Sequence, residues 1–441
     1  MKFINTLRDI FKIEELKNKI LLTIGLIAVY RFMAAVPLPG IDPLQLSALK
    51  ESTSGGLLGL LNAFTGGAFA RASVMALGIM PYISASIVVQ LMGIAVPYLQ
   101  KLQKDGESGR KKITQITRWL TIVITLVQAP TYITAIKTQF NLPPEAFLVS
   151  GITFWISSII ILTAGTIFAM WLGERITDKG IGNGISLLIT VGIIANFPAA
   201  FLQEFLSKTE NAGAGGLMMV LIEIIVWFVV ILLTVLLVTA VRKIAVQYAR
   251  RTVAGNTQNV AGSRDYIPLK LNAAGVMPII FAQAIMFLPL ALGQKFPILV
   301  GLTDPNGWQY NVIFALLIII FSYFYTAITI PTNKMAEDLK RSGGFIPGIR
   351  PGKDTADRLD SVLSRITFPG SLFLAGLSIL PAIVVQFGVQ QGWAMFYGGT
   401  SLIIMVGVAI DTIQQINSYL LNNHYDGLMK PGNSNRKSNK Q

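Results

Sequence analysis

The sequence predicts an all-α polytopic membrane protein of ten transmembrane helices in two five-helix halves, and three observations predict it. Hydrophobic residues make up 53% of the 441 and charged residues 13%, with a mean hydropathy of +0.60, whereas a soluble chain carries roughly a quarter of its residues as charges. Ten apolar runs of spanning length follow one another along the chain. The basic residues are segregated: of 36 Lys and Arg, thirty fall in the segments on the side that holds the N-terminus. By the positive-inside rule that side is the cytoplasm, and both termini lie there. The net charge of +14 is therefore mostly topology, which leaves ribosomal RNA approaching the loops as the one nucleic-acid reading.

Residues 1–19 place Phe3, Ile4, Leu7, Ile10, Phe11 and Leu16 near helical spacing with charges between them. This predicts an amphipathic helix, either lying in the cytoplasmic interface or capping the bundle. Spans are expected at about 20–36, 73–96, 119–136, 151–172 and 184–201, which form a first half over 20–201. Five more, at 216–240, 274–292, 310–330, 367–387 and 397–417, form a second half over 216–417, followed by a cytoplasmic tail over 418–441. The first span follows Lys17 and Lys19 as a signal peptide would, but nine more come after it, so it reads as an uncleaved helix. An odd number of spans per half puts the halves in opposite orientations and allows an inverted repeat.

Two cytoplasmic loops are larger than a connection requires. Residues 241–273 contain two β-like stretches, 243–248 and 266–271, around a Gly/Asn-rich turn. Residues 331–366 read as an amphipathic helix ending at Gly343–Gly344, a Pro/Gly-braced turn presenting Arg350, and a second helix from near Asp354. Each loop is ordered by its own turn chemistry and extends basic residues outward: Arg242, Lys243, Arg250 and Arg251 in the first, Lys340, Arg341 and Arg350 in the second. Docking of a large acidic or RNA-bearing partner is favoured over simple solvation.

The spans carry few charges. Arg31 and Glu223 lie toward span ends, and Asp411 near the cytoplasmic end of the last. Ion-coupled carriers need an ionisable group near the midplane, so a proton- or sodium-driven carrier is disfavoured. With no cysteine and a single histidine, His424, thiolate zinc sites, histidine-ligated metals and Ser-His-Asp catalysis are excluded or nearly so, and no Gly-rich Lys-Ser/Thr loop for ATP is present.

Polar and small residues instead punctuate particular spans. "LGIMPYISASIVVQLM" and "AGVMPIIFAQAIMFLP" share a glycine, then a proline three residues on, then aliphatics and a glutamine. "GERITDKGIGNGISLLI" brings Gly180, Gly182 and Gly184 just ahead of Ile185. Taken singly, each glycine is a helix-packing residue. Together they suggest branched side chains forming a constriction beside flexible backbone, which would gate by excluding water. Between the first two spans, "GGLLGLLNAFTGGAFARA" is too short to span and is bracketed by glycine pairs. It reads as a re-entrant plug or as an interfacial loop helix.

"SVMALGIMPYISASIVVQLM" with "WLGERITDKGIGNGISLLI" resembles the two signature segments of the SecY family, the channel subunits of the general protein-secretion translocase. "LKLNAAGVMPIIFA", "LKRSGGFIPGIRPGKDTADRLD" and "YGGTSLII" match further bacterial segments of that family. The resemblance implies a clamshell of two halves around a central pore. It implies a pore ring at Ile79, Ile83, Ile185, Ile189, Ile280 and Ile404, and a plug over 55–67 that includes Gly55, Leu57, Leu58, Leu61, Asn62, Phe64, Gly66 and Gly67. A lateral gate would lie along spans two and seven, with three and eight, marked by Ser84, Ile87, Gln90 and Gln283. Implied partners are the small membrane subunits SecE and SecG, the SecA motor or a ribosome on the cytoplasmic loops with Arg350 at the motor's site, preprotein signal sequences, and membrane lipid beside the gate. No cofactor is implied. The competing readings are an inverted-repeat solute transporter and, behind it, a membrane-embedded enzyme with a carboxylate or Ser/Lys site.

Overall fold

A computed structural model describes residues 13–43, 64–138, 151–211, 216–248, 264–292 and 307–429, with residues 46, 62 and 147–149. Most of the expected amphipathic helix over 1–19, the turn 249–263 and the end of the tail, 430–441, lie outside the described residues. Helix α1 (Glu14–Ala35) starts where Glu14 and Glu15 meet the positive end of the helix. It ends where Val36 turns extended, φ −80° and ψ 116°, ahead of Pro37.

The second predicted span is not helical over 73–79. Residues 65–79 run as successive tight turns, in which Ala76, Gly78 and Met80 each donate an N–H three residues back. Gly78 holds φ +52°, a left-handed conformation that interrupts the helix which apolarity alone predicts. Pro81 then falls in the first turn of α2 (Met80–Ala95), where its missing N–H costs nothing. The helix stops at Val96, extended before Pro97, and α3 (Pro97–Lys104) leaves at 100°.

Helices α4 (Gly106–Thr138), α5 (Ile152–Lys179), α6 (Gly184–Asn211) and α7 (Gly216–Thr239) contain the third to sixth spans. At 33 residues α4 is about 50 Å long, so it extends beyond a hydrocarbon core of about 30 Å. Strands β1 (Val241–Tyr248) and β2 (Arg264–Lys270) follow, then α8 (Met277–Leu292), α9 (Trp308–Thr329) and α10 (Thr332–Arg341). Strand β3 (Gly344–Phe345), α11 (Lys353–Gln386), α12 (Gln391–Ala394) and α13 (Gly399–Met429) complete the described chain.

Among the described residues, eight helices are long and apolar enough to cross a membrane, or nine if α2 and α3 count as one bent span. The sequence predicts ten. Of the two remaining expected spans, α2 has 16 residues, and α8 runs to Leu292, where this described stretch ends. A helix of the length of α2 rises only about 24 Å, short of the core's ~30 Å. Before α8, residues 271–276 again form turns, with Gly275 at φ +63°.

The chain divides into two compact units, one of Met1–Leu46, Thr65–Gly192 and Val408–Gln441, the other of Ser47–Phe64 and Ile193–Gly407. In the first, Tyr30, Ala34, Met75, Ile79, Leu172, Ile176 and Leu188 bury together, with Ile83 and Ile185 at the margin. Gly173 on α5 permits this approach, because a Cβ there would lie 2.8 Å from Ile185 Cγ1. The turns after the expected plug segment are pinned: the Tyr132 hydroxyl donates to the Phe69 carbonyl at 2.8 Å, and the two rings meet edge-on at 4.8 Å.

In the second unit, Phe197, Phe201, Trp227, Trp393 and Phe396 stack together, with Trp227 Nε1 donating to the Phe396 carbonyl at 2.9 Å. Such aromatic pairs contribute about 0.5–1.5 kcal/mol each beyond burial. The fifth span was expected to end near 201, but α6 runs on to Asn211 and carries Glu204 and Lys208. Glu204, 1% exposed, accepts from the Gln390 N–H at 2.8 Å, and Lys208 Nζ donates to the Gly388 carbonyl at 2.7 Å. Lys208 lies 3.8 Å from the buried Glu204 and 3.6 Å from the partly buried Glu223, so the two carboxylates share one cation.

The two large loops build a three-stranded antiparallel sheet in the order β2-β1-β3. The stretches read as β-like pair with each other, Ile244 opposite Ile267. The two-residue β3, too short for an alternation signal, joins from the other loop with Phe345 opposite Gln247. Val246, Leu339, Ile346 and Leu359 share one core. The loops are thus ordered by packing on each other as well as by their own turns.

Candidate functional site

Ile79 caps the N-terminus of α2, 4% exposed, and its carbonyl accepts the Ile83 N–H at 3.0 Å. The two side chains therefore stack one turn apart at the point where irregular backbone becomes helix. Ile185 and Ile189 occupy the first two turns of α6, Ile189 buried and Ile185 half-buried. Ile79, Ile83 and Ile185 meet around one cluster of the first unit. Ile280, half-buried at the start of α8, and Ile404, buried near the start of α13, belong to the second unit.

Side chains from distant segments hold the start of α6. Thr23 Oγ1 accepts the Ile181 N–H at 3.1 Å, Gln415 Oε1 accepts the Gly182 N–H, and Thr177 Oγ1 accepts the Gly184 N–H at 2.9 Å. Asn183 Oδ1 takes the Ser186 N–H at 3.3 Å. Sequence reasoning missed all four, and of them only Asn183, a capping residue ahead of the helix, carried a local signal.

Of the expected gate residues, Ile87 is buried, while Ser84, Gln90 and Gln283 are half-buried. Gln90 Nε2 donates to Ser86 Oγ at 3.4 Å within α2, and Gln283 Nε2 to Thr400 Oγ1 at 3.5 Å within the second unit. Helical polar residues thus answer one another in places where lipid offers no hydrogen bond.

Within the expected plug, Gly55, Leu57, Leu58 and Leu61 lie outside the described residues. Asn62 is half-buried and Phe64 buried, and Gly66 and Gly67 hold φ +67° and +84°. Arg31, read from sequence as a charge near a span end, donates from Nη1 to the Gly66 carbonyl at 2.9 Å.

On the loops, Arg242 and Lys243 are exposed on β1, and Lys340 and Arg341 in the last turn of α10, where cations suit the helix dipole. Arg250 and Arg251 lie outside the described residues. Arg350 is exposed, and its carbonyl accepts the buried Thr355 hydroxyl at 2.8 Å, between Gly348 at φ +81° and Gly352 at φ +116°. Arg118 grips Glu174 with two bonds, Nε–Oε1 at 2.9 Å and Nη2–Oε2 at 2.7 Å, joining α4 to α5. With Arg118 about half exposed, that pair is worth no more than about 1 kcal/mol. Among the described residues, no group of three or more His, Cys, Asp or Glu side chains is placed to hold a metal ion.

Comparison with known proteins supplies the context for this geometry. The SecY family profile matches residues 73–413. The chain is similar to protein translocase subunit SecY of Streptomyces scabiei, 38% identical over 436 residues, covering 95% of this chain and 98% of that one. The Bacillus subtilis and Haemophilus influenzae subunits are 39% and 40% identical, covering 96% and 95% of this chain and 99% and 95% of theirs. Two solved channels share the fold at 94% coverage of each chain: a protein-conducting channel with TM-score 0.61 and 18% identity, and a SecY described through its plug domain with TM-score 0.63 and 19% identity. Canine Sec61 in a ribosome–channel complex matches with TM-score 0.55 and 17% identity, again covering 94% of each. Identity near 38% over almost the full length of both sequences leaves no support for the carrier reading, and this chain belongs to the SecY family of protein translocase subunits.

Proposed function

We propose that this chain is the channel subunit of a bacterial protein translocase. It conducts unfolded preproteins across the cytoplasmic membrane and releases apolar segments sideways into lipid. The observation that carries this reading, beside family membership, is the matching entry into helices α2 and α8. Both follow a glycine in the left-handed region and both carry proline in the first turn. Non-helical backbone at membrane depth is tolerated where it is buried in protein or lines a water-filled cavity. Gly/Pro-interrupted segments at matching places in two halves point to the functional path. Ile83 and Ile280 occupy the same place in the two motifs.

Ile79, Ile83, Ile185, Ile189, Ile280 and Ile404 form the pore ring in this reading. A passing chain presents every kind of side chain, so polar walls would bind some of them. Branched aliphatics make weak, non-directional contacts and leave a narrow pore poorly wetted when empty. The segment 55–67 acts as the plug, and α2 and α8 carry the gate at Ser84, Ile87, Gln90 and Gln283. No bond is made or broken by this chain, which is not an enzyme, and the energy comes from a partner on the cytoplasmic loops. That partner is a SecA-type ATPase or a ribosome, and SecE and SecG complete the membrane complex. Both termini face the cytoplasm, in line with the segregation of the basic residues.

The deciding experiment is planar-bilayer conductance of the complex with three or more ring isoleucines replaced by Gly or Ser. A widened, wetted constriction is expected to conduct ions at rest. Resting conductance equal to that of the unmodified channel removes the ring assignment.

A further inference from the structure

The start of α6 is held by more than its own sequence. Residues 180–184 form a turn in which Gly182 holds φ +80°. The Thr23 hydroxyl on α1 donates to its own helix at the Lys19 carbonyl, 2.9 Å, which leaves a lone pair directed at the Ile181 N–H. From the other end of the chain, Gln415 on α13 accepts the Gly182 N–H, and a Cβ at position 182 would lie 3.1 Å from Thr412 Oγ1 on the same helix. Leu16 and Ile181 pack with Ile416, Tyr419 and Leu420 alongside, and Lys19 Nζ donates to the Tyr419 hydroxyl at 2.9 Å. All of these residues belong to the first unit.

An α-helix leaves its first four N–H groups without internal partners. Here Thr177 and Asn183 take two of them, while the Ile181 and Gly182 N–H groups lie just ahead. The acceptors of those two hold the turn that sets where the helix begins and how it is rotated. Moving that start by one residue turns every side chain by about 100° about the axis. Ile185 and Ile189 follow at once, so an error in the turn is carried directly into them.

We infer that Gln415 and Thr23 are positioning residues for the pore ring: by holding the Gly182 and Ile181 N–H groups they fix the start and rotation of α6, and with it the direction of Ile185 and Ile189. Neither residue lies among the ring, plug, gate or docking positions. The inference rests on the ring assignment proposed above and adds the device that aims two of its members.

Three readouts on the assembled complex in proteoliposomes test it: hydrogen exchange of the peptide covering 180–189, resting ion conductance, and transport of a preprotein with a weakened signal sequence. Gln415→Leu and Thr23→Val remove the acceptors, while Gln415→Glu and Thr23→Ser keep an oxygen in place. The expected result for each acceptor-less variant is exchange at 181–184 faster by about tenfold, as for loss of one hydrogen bond from a protected donor. Raised resting conductance and easier passage of the defective client are expected with it, at an unchanged level of assembled channel. The oxygen-retaining variants should restore all three. Unchanged exchange in Gln415→Leu overturns the clamp. So does faster exchange without raised conductance, if Ile185→Ser/Ile189→Ser leaks in the same assay, because the turn would then not govern the ring. A silent Ile185→Ser/Ile189→Ser control instead removes the ring assignment itself, and the exchange result alone then decides whether the clamp holds the turn.

Discussion

At the scale of single residues, position matters more than charge. The loop 331–366 has seven Lys and Arg against five Asp and Glu, so its bulk charge is small. Arg350 is distinguished by the turn that presents it, braced by Gly348 and Gly352 and tied at its carbonyl to Thr355. The guanidinium can grip a carboxylate with two bonds, a geometry that an ammonium cannot reproduce. Arg350→Glu is therefore expected to abolish motor-driven transport of a preprotein into vesicles, and Arg350→Lys to reduce it, both with normal amounts of assembled channel. Normal transport by Arg350→Glu would remove the docking role, and loss of the channel itself would make the residue structural. The turn around Arg350 was legible in the sequence, because proline and glycine act locally. Thr355 was not, because a hydroxyl five residues away bonding back to a carbonyl leaves no pattern of its own.

At the scale of elements, the two large loops show what patterning reads and what it misses. Alternation of apolar residues announced β1 and β2, and amphipathic spacing announced α10. Their union into one layer depends on β3 and on the shared core of Val246, Leu339, Ile346 and Leu359, which brings together residues from two loops more than 90 positions apart. Leu359 is 1% exposed within it. Leu359→Ala should cost about 2–5 kcal/mol of local stability, which loosens the proposed docking layer while the spans hold. Limited proteolysis should then cut within 331–366 faster, transport should fall, and the level of membrane-inserted chain should be unchanged. Resistance to protease equal to the parent's would show that the shared core does not support the loops. The same scale holds the main departure from the sequence reading, since hydropathy averages over a window and cannot see a single left-handed glycine. Residues 73–79 are apolar enough to span, yet Gly78 and Pro81 place the helix start at Met80.

At the scale of the whole molecule, the proposed channel must open sideways as well as through its centre. The chain contains no cysteine, so a pair introduced at Ile87 and Gln283 would be the only one present. If α2 and α8 part to admit a signal sequence, a confirmed disulfide between these positions should stop transport, and reduction should restore it. Equal transport rates in the oxidised and reduced states would place the gate on other helices. The sequence by itself determined the membrane class, the approximate spans, the segregation of basic residues and the two loop strands. Hydropathy, charge and short-period alternation are local and additive, and a chain carries them whether or not it has folded. Only the tertiary structure decided where α2 and α8 begin and that the two loops share one core. It alone brought Thr23, Thr177 and Gln415 to the turn before Ile185, and gave Glu204 and Glu223 a common lysine. The bonds from Thr23 and Gln415 and the core shared by the loops rest on pairs distant in the sequence, where a side chain is placed by the partner it meets and not by its neighbours along the chain.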